Sequence, residues 1–296
     1  MSFRSGFVAI VGMPNVGKST LVNALLKQKI SIVTPKPQTT RNKIFAVFNE
    51  PDKQIVFVDT PGVHKAKNNL DKYMNKSIEA ATVDVELILF MVDGAKVIYE
   101  QVETLLKNYG KSKAPKFLVV NKIDETTQDK LVKEITNLKN KDAFKEIVYI
   151  SATQKKNFDI LLKLIDPYLT DTVKYFEIDD KPQSDAFLIS EVIREKALYL
   201  ISEEIPHGIG IAVDSMEKVG KMLNVECTIT CEKQGHKAII IGKNGGMLKE
   251  IATKARMELE KILKTKIFLS IFVRVKENWK DSRSSLTDLG YDEENI

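Results

Sequence analysis

The stretch Gly12-Met13-Pro14-Asn15-Val16-Gly17-Lys18-Ser19 constrains this chain more than any other. It follows the apolar run Phe7-Val8-Ala9-Ile10-Val11 and precedes Thr20-Leu21-Val22-Asn23-Ala24-Leu25-Leu26, a helix-like pattern. A strand, a loop of the form G-x-x-x-x-G-K-S and a helix, in that order, gather backbone N–H groups around an anion such as the phosphates of a nucleotide. Gly12 and Gly17 let the chain turn tightly and approach the phosphates, so that the backbone from Pro14 through Val16 to Ser19 forms an anion nest that Thr20 extends. Lys18 is expected to bring its charge to the β- and γ-phosphates, and the Ser19 hydroxyl to bind Mg²⁺ on the same oxygens.

Which base is bound follows from Asn121-Lys122-Ile123-Asp124, which closes the buried-strand pattern Phe117-Leu118-Val119-Val120. A carboxylate at Asp124 accepts two hydrogen bonds from the ring N–H and exocyclic amine of guanine, and adenine offers no donors at that edge. Lys122 is expected to cover one ring face with its stem, and Asn121 to tie this loop back to the phosphate loop. Ser151-Ala152, after Glu146-Ile147-Val148-Tyr149-Ile150, stands where a further strand-end loop offers a backbone N–H to the guanine O6. The ligands expected are therefore GTP and GDP.

Between these motifs lie residues placed to sense the γ-phosphate. Asp59-Thr60-Pro61-Gly62 ends the run Gln54-Ile55-Val56-Phe57-Val58, which puts Asp59 near Mg²⁺ through water and the Gly62 N–H near the γ-phosphate. Pro37-Gln38-Thr39-Thr40-Arg41 precedes the strand-like run Lys43 to Phe48, and a threonine here completes the Mg²⁺ shell, Thr40 being favoured and Thr39 the alternative. Loops ordered by the γ-phosphate and released on hydrolysis make a switch.

With 296 residues, a nucleotide-binding unit of roughly 170 leaves room for a second domain of ordinary size. Alternating strand and helix patterns fill residues 6 to 169, as a parallel sheet covered by helices requires. The polar stretch Thr170 to Asp185 reads as a linker, with the boundary near 180; the expected domains are 1–175, a linker over 176–184, and 185–296. The second unit opens with helical spacing from Phe187 to Ile205, followed by strand-like runs Ile209 to Val213 and Val225 to Cys231. Then comes Ile239-Ile240-Ile241-Gly242-Lys243-Asn244-Gly245-Gly246-Met247-Leu248. A G-x-x-G loop that opens a helix can press its backbone against the phosphates of single-stranded nucleic acid, as in a KH module, and the strand Lys266 to Val275 fits the same α+β fold.

Charge weighs on this loop. Residues 233 to 266 carry nine Lys or Arg against three acids, a balance of +6, whereas residues 181 to 296 as a whole are balanced at eighteen of each. The net charge of +5 therefore carries no argument for nucleic acid, but the local patch does. A second reading of a different class is a GTP-dependent signalling switch whose second domain docks a protein or an anionic membrane surface. The Gly242 to Gly245 loop separates the two.

The five nucleotide motifs in this order look like a translation-factor-class small GTPase. Pro37-Gln38-Thr39-Thr40-Arg41 with Asp59-Thr60-Pro61-Gly62, the G-x-x-G loop, and the ending Val273 to Asp281 through Leu286 to Tyr291 together resemble the Era family of bacterial GTPases over nearly the whole chain. The resemblance implies an α/β P-loop GTPase domain followed by a smaller type II KH-like domain. It implies an enzyme that engages the 3′-terminal region of 16S small-subunit rRNA and acts in assembly of the 30S subunit. Gly242, Lys243, Asn244 and Gly245 would contact the RNA backbone, with Lys249 nearby, and the nucleotide state would set RNA affinity. Lys18, Thr40 and Gly62 would serve hydrolysis, and Asn15 matches an asparagine that in some related GTPases helps to bind K⁺ beside the phosphates.

A water-orienting glutamine is missing: Val63 follows Gly62 and cannot do that work, and His64 reads more simply as a switch-loop residue without a catalytic part. Cys227 and Cys231, four apart in a predicted strand, share a face as buried thiols of a reducing cytoplasm. The chain shows no signal peptide and no apolar run long enough to span a bilayer, so membrane contact, at the inner face, would be peripheral. No heptad pattern suggests self-association, and Trp279 reads as a packing anchor.

Overall fold

A computed structural model of the chain describes residues 3–177, 180–201 and 208–292. Outside them lie linker residues 178 and 179, residues 202–205 of the stretch expected to be helical, whose helix already ends at Leu200 with Ile201 extended, and Glu293 and Glu294 of the acidic tail. The chain divides into two compact units: residues up to Lys65 with Met74–Pro182, and Ala66–Tyr73 with the chain from Gln183 onward.

The first unit is built on a six-stranded sheet in the order β2-β3-β1-β4-β5-β6. Its strands are β1 (Arg4–Gly12), β2 (Ile44–Glu50), β3 (Lys53–Asp59), β4 (Leu87–Asp93), β5 (Lys116–Asn121) and β6 (Glu146–Tyr149). Only β2 runs antiparallel, against β3. Every residue of β4 and β5 is buried, as continuous apolar runs covered on both faces demand. One face packs against α1 (Lys18–Leu26) through Leu21, Val22 and Leu25 and against α5 (Phe158–Ile165) through Leu161 and Ile165. The other packs against Ile78 of α2 (Asn69–Ala81), Ile98, Val102 and Leu105 of α3 (Ile98–Tyr109), and Leu131 of α4 (Gln128–Thr136). Each such side chain contributes about 1.5–3 kcal/mol on burial.

The first part of the polar stretch after Leu169 is not a free tether. Asp171 forms a β-bridge with Ser5, Ser5 Oγ donates to the Val173 carbonyl, and the side chain of Gln54 accepts from the N–H groups of Tyr175 (2.9 Å) and Phe176 (3.1 Å). Gln54 is fully buried, so these backbone groups satisfy an amide that would otherwise be stranded inside β3.

In the second unit, α6 (Asp185–Leu200) starts at Ser184, whose hydroxyl accepts from the Phe187 N–H. It is followed by β7 (Ile209–Val219), β8 (Met222–Cys231), α7 (Gln234–Ile241), α8 (Gly246–Leu263), β9 (Lys266–Val275) and α9 (Arg283–Asp288). The sheet runs β7-β8-β9, antiparallel in the first pair and parallel in the second. Val225, Cys227, Ile229 and Cys231 point inward from β8 with period two and meet Ile189, Val192 and Ile193 of α6 and Ile251, Ala255 and Leu259 of α8. Both thiols are free and buried, and burial pushes the Cys227 thiol up to about 12, which removes its nucleophilic form. Trp279 is fully buried and donates its indole N–H to the Gly208 carbonyl at 3.0 Å. Residues 66–73 join this unit: the Asn69 N–H donates to Asp281 Oδ1 at 3.0 Å, and the rings of Tyr73 and Tyr291 pack edge to face.

Candidate nucleotide and nucleic-acid sites

The carboxyl ends of β1, β4 and β5 bring their following loops to one edge of the first unit's sheet, the usual ligand position in such sheets. There a cavity of about 410 Å³ is lined by residues of the loop before α1, by Thr34, Pro35 and Gln38 to Thr40, and by Asn121, Lys122, Ala152 and Thr153. Gly17 stands at φ +100°, a left-handed conformation that L side chains rarely adopt. Gly12 is needed for a second reason as well: a Cβ there would lie 2.4 Å from the Met91 carbonyl, so β4 also excludes a side chain. Pro14 lacks an N–H and adds none to the nest; its ring and backbone lie against Gly62, where a Cβ would come within 2.8 Å. The Val63 N–H donates to the Gly12 carbonyl at 3.0 Å, so the Asp59 to Gly62 loop and the phosphate loop are in direct contact.

Lys18 is buried and its ammonium donates to the carbonyls of Gly12 (3.0 Å) and Met13 (3.2 Å). Burial lowers its pKa from 10.5 to about 8, with the Asp59 charge acting in the opposite sense. Burial likewise raises the Asp59 carboxyl, against the Lys18 charge and the Ser19 hydroxyl. Ser19 Oγ stands 2.7 Å from Asp59 Oδ2 and 2.9 Å from Thr40 Oγ1, while Asp59 Oδ1 is buried without a hydrogen-bond partner. Two hydroxyls and a carboxylate with an unused oxygen are the hard-oxygen donors Mg²⁺ requires, so these residues fit the ion. Thr40, rather than Thr39, is the threonine at Ser19: Thr39 Oγ1 is engaged within its own turn by Thr34 Oγ1 (2.7 Å) and the Lys36 carbonyl (2.6 Å). Asn15, at φ +63°, donates its amide to the Pro35 carbonyl at 2.9 Å, and His64 Nδ1 lies 2.7 Å from the Gly62 carbonyl.

At the base end, Asn121 Nδ2 donates to the Val16 carbonyl at 2.8 Å and Asn121 Oδ1 accepts from the Ala152 N–H at 2.9 Å. The Ala152 N–H is therefore shared with Asn121 if it also meets a guanine O6. The Asp124 carboxylate is exposed, and hydrogen bonding, foremost from the Ser151 hydroxyl and also from Thr153, holds it below its ordinary pKa, in the form that accepts from guanine. Lys122, at φ +63°, reaches Asp93 Oδ2 with its ammonium at 2.7 Å. Asp93 is a residue the motif reading missed; its only signal is that the apolar run Leu87 to Val92 ends in Asp93-Gly94, as the other strands end in functional residues.

In the second unit, Gly242 (φ +72°), Asn244 (φ +51°) and Gly245 (φ +75°) turn the chain from α7 into α8. Lys243 and Asn244 are exposed on the loop, and Lys249 is exposed just inside α8. Helix α8 starts with no side-chain cap and no acid in its first turn, which leaves its N-terminal amides to an anion. The three acids of the patch are each paired, Glu250 with Lys254, Glu258 with Lys196, and Glu260 with Arg256 and Lys266. Among the described residues Lys243 and Lys249 have no carboxylate partner, so neither charge beside the loop is neutralised by an ion pair.

Comparison with known proteins agrees with both halves. A family described as 50S ribosome-binding GTPase matches residues 7–122, and the KH domain family matches residues 204–280. GTPase Era of Clostridium kluyveri is 47% identical over 292 residues, covering 97% of this chain and 99% of that one. The chain belongs to the Era family of GTPases. It is a GTP-hydrolysing enzyme with a P-loop GTPase domain followed by a KH domain. Among solved structures, Era in complex with MgGDPNP and nucleotides 1506–1542 of 16S ribosomal RNA is 36% identical, with a TM-score of 0.94 over 98% of this chain and 99% of that one. A point variant of Aquifex aeolicus Era bound to GDP·AlF₄⁻ is 35% identical, with the same TM-score and coverage.

Proposed function

We propose that this Era family member is a GTP-driven switch that binds the 3′-terminal region of 16S rRNA through its KH domain and acts in assembly of the small ribosomal subunit. The observation that carries this is the Gly242 to Gly245 loop opening an uncapped helix beside Lys243 and Lys249, in a chain that shares its fold with an Era solved on that RNA. The domains are taken as 1–175 for the GTPase, 176–184 for the linker and 185–296 for the KH-like part.

In the nucleotide site the loop from Asn15 to Thr20 holds the phosphates through its N–H groups, and Lys18 turns its ammonium from the Gly12 and Met13 carbonyls to the β- and γ-oxygens. Ser19 and Thr40, with Asp59 behind them, hold Mg²⁺. The ion would supply positive charge to neutralise the phosphates. Asp124 selects guanine, Lys122 covers the ring, and Asn121 locks the base loop to Val16. The Gly62 N–H senses the γ-phosphate from its place against Pro14. No side chain is assigned to orient water, since Val63 is apolar and buried. Intrinsic turnover is accordingly slow.

Asn15 and the switch loop around Pro35 are the candidate holders of a K⁺ ion that adds charge beside the phosphates. Equal phosphate release in Na⁺ and K⁺ contradicts that part. The protein acts in the cytoplasm as a monomer, with contact to the inner face of the membrane peripheral. Among the described residues no helix is long and apolar enough to cross a membrane. Sedimentation of purified subunits with the protein and a GTP analogue tests the assignment: co-migration with 30S and not with 50S particles is expected, and migration with neither contradicts it.

A further inference from the structure

Asp93 ends β4 beside the guanine loop and is almost wholly buried. Its own peptide is clamped on both sides by Gln101, which accepts from the Asp93 N–H at 2.8 Å and donates to the Asp93 carbonyl at 3.1 Å. The carboxylate is thus a fixed point. Oδ1 accepts the Ala95 N–H at 3.0 Å, and Oδ2 accepts the Lys122 ammonium at 2.7 Å. Lys96, whose side chain is largely exposed, stands farther off at 3.9 Å. Immediately after, the Gly94 N–H donates to the Asn121 carbonyl at 2.8 Å, and a Cβ at Gly94 would come 2.9 Å from that oxygen. The β4 loop is therefore pressed onto the N-K-x-D loop at two successive residues.

Lys122 lines the nucleotide cavity beside Asn121. A lysine stem has four rotatable bonds, and holding it flat against a base costs rotamer freedom unless something holds it beforehand. We infer that Asp93 is a positioning residue for guanine recognition: its buried carboxylate tethers the Lys122 ammonium so that the aliphatic stem forms the floor for the ring before the base arrives. The inference rests on the guanine-nucleotide reading of this site and extends it to a residue outside the nucleotide motifs. Because the tether acts on the base and not on the phosphates, it serves GTP and GDP alike and leaves the hydrolytic step alone.

The test is an Asp93→Asn variant of the full chain, which keeps an oxygen for the Ala95 N–H and removes the charge. Kd for GDP and for GTP should each rise about tenfold, the size of one charge-assisted hydrogen bond, through faster dissociation. KM should rise in step while kcat at saturating GTP stays within about twofold, and Asp93→Glu should recover most of the affinity. In a Lys122→Ala background Asp93→Asn should change nothing further. Unchanged affinity, an equal loss in the Lys122→Ala background, or a fall in kcat without a change in KM would each overturn the inference. Should Asp93→Asn fail to melt cooperatively, Lys122→Met, which keeps the apolar stem and loses the tether, should show the same tenfold loss, and wild-type affinity there refutes the inference. A wild-type chain that binds no GDP would overturn the guanine reading and this inference together, whereas normal wild-type binding with an unaffected Asp93→Asn overturns this inference alone.

Discussion

Asn121 and Gly17 are locked together across the nucleotide site. The amide of Asn121 donates to the Val16 carbonyl at 2.8 Å, and a Cβ on Gly17 would stand 2.4 Å from that same nitrogen. The loop that reads the base is thereby built against the loop that holds the phosphates, and glycine at 17 is required twice, by φ +100° and by Asn121.

Gly17→Ala should therefore displace Asn121 as well as strain the turn. Guanine-nucleotide affinity is expected to fall at least about 100-fold, from a strain of roughly 1–3 kcal/mol added to the loss of a buried hydrogen bond. Fluorescent GDP titration measures it; a loss below about threefold would mean that the loops are not coupled in this way.

Lys18 gives the site a pH dependence. Its pKa is near 8 in the folded chain against 10.5 unfolded, so the folded state gives up this proton first and nucleotide-free stability from this group rises as pH climbs from about 8 to 10.5. Phosphates restore the charge, so GDP affinity should weaken above about pH 8, approaching tenfold per unit, with proton uptake visible by calorimetry in buffers of different ionisation heat. Flat affinity over the first unit above that point would contradict the burial argument.

The convergence of Ser19 and Asp59 predicts where Mg²⁺ acts. Ser19→Ala and Asp59→Ala should each reduce the gain in GTP affinity that Mg²⁺ provides over a chelator, toward a ratio of one. A ratio equal to that of wild type in both variants would place the ion elsewhere.

The two glycines of the RNA loop differ in what they tolerate. A Cβ at Gly242 would lie 2.6 Å from the Met247 Cβ, whereas a Cβ at Gly245 meets nothing within 4 Å and suffers only from φ +75°. Gly242→Asp should lower the melting temperature markedly. Gly245→Asp should cost only about 1–2 kcal/mol, so its effect on RNA binding reads the loop and not the fold. Equal melting points for the two variants would contradict the packing described.

The nucleotide motifs were legible because each ends a run of buried strand residues, so that spacing alone put Lys18, Asp59 and Asn121 at one sheet edge. In the KH sheet β9 has the expected bounds, whereas β7 and β8 extend beyond the expected Ile209–Val213 and Val225–Cys231, to Val219 and from Met222, because their paired far ends are exposed or half-buried and carry no buried run to mark them. Less visible was anything decided by contact between distant segments. Gly12 answers to the Met91 carbonyl on β4, Thr40 is distinguished from Thr39 by a turn that consumes the Thr39 hydroxyl, and Asp93 is paired with a lysine nearly thirty positions away. The strapping of residues 171–176 by Gln54, and the membership of residues 66–73 in the second unit, likewise depend on packing that no local pattern encodes.

The measurement that bears most directly on the whole account is binding of a labelled RNA carrying the 3′ end of 16S rRNA to the full chain, loaded with GTP analogue or with GDP, for wild type and Gly245→Asp. Wild type is expected to bind with an affinity that differs between the two nucleotides, and Gly245→Asp, folded and still binding nucleotide, to lose the RNA. Equal binding by wild type and Gly245→Asp, or no binding by either, would contradict this expectation and favour a second domain that docks a protein or an anionic membrane surface.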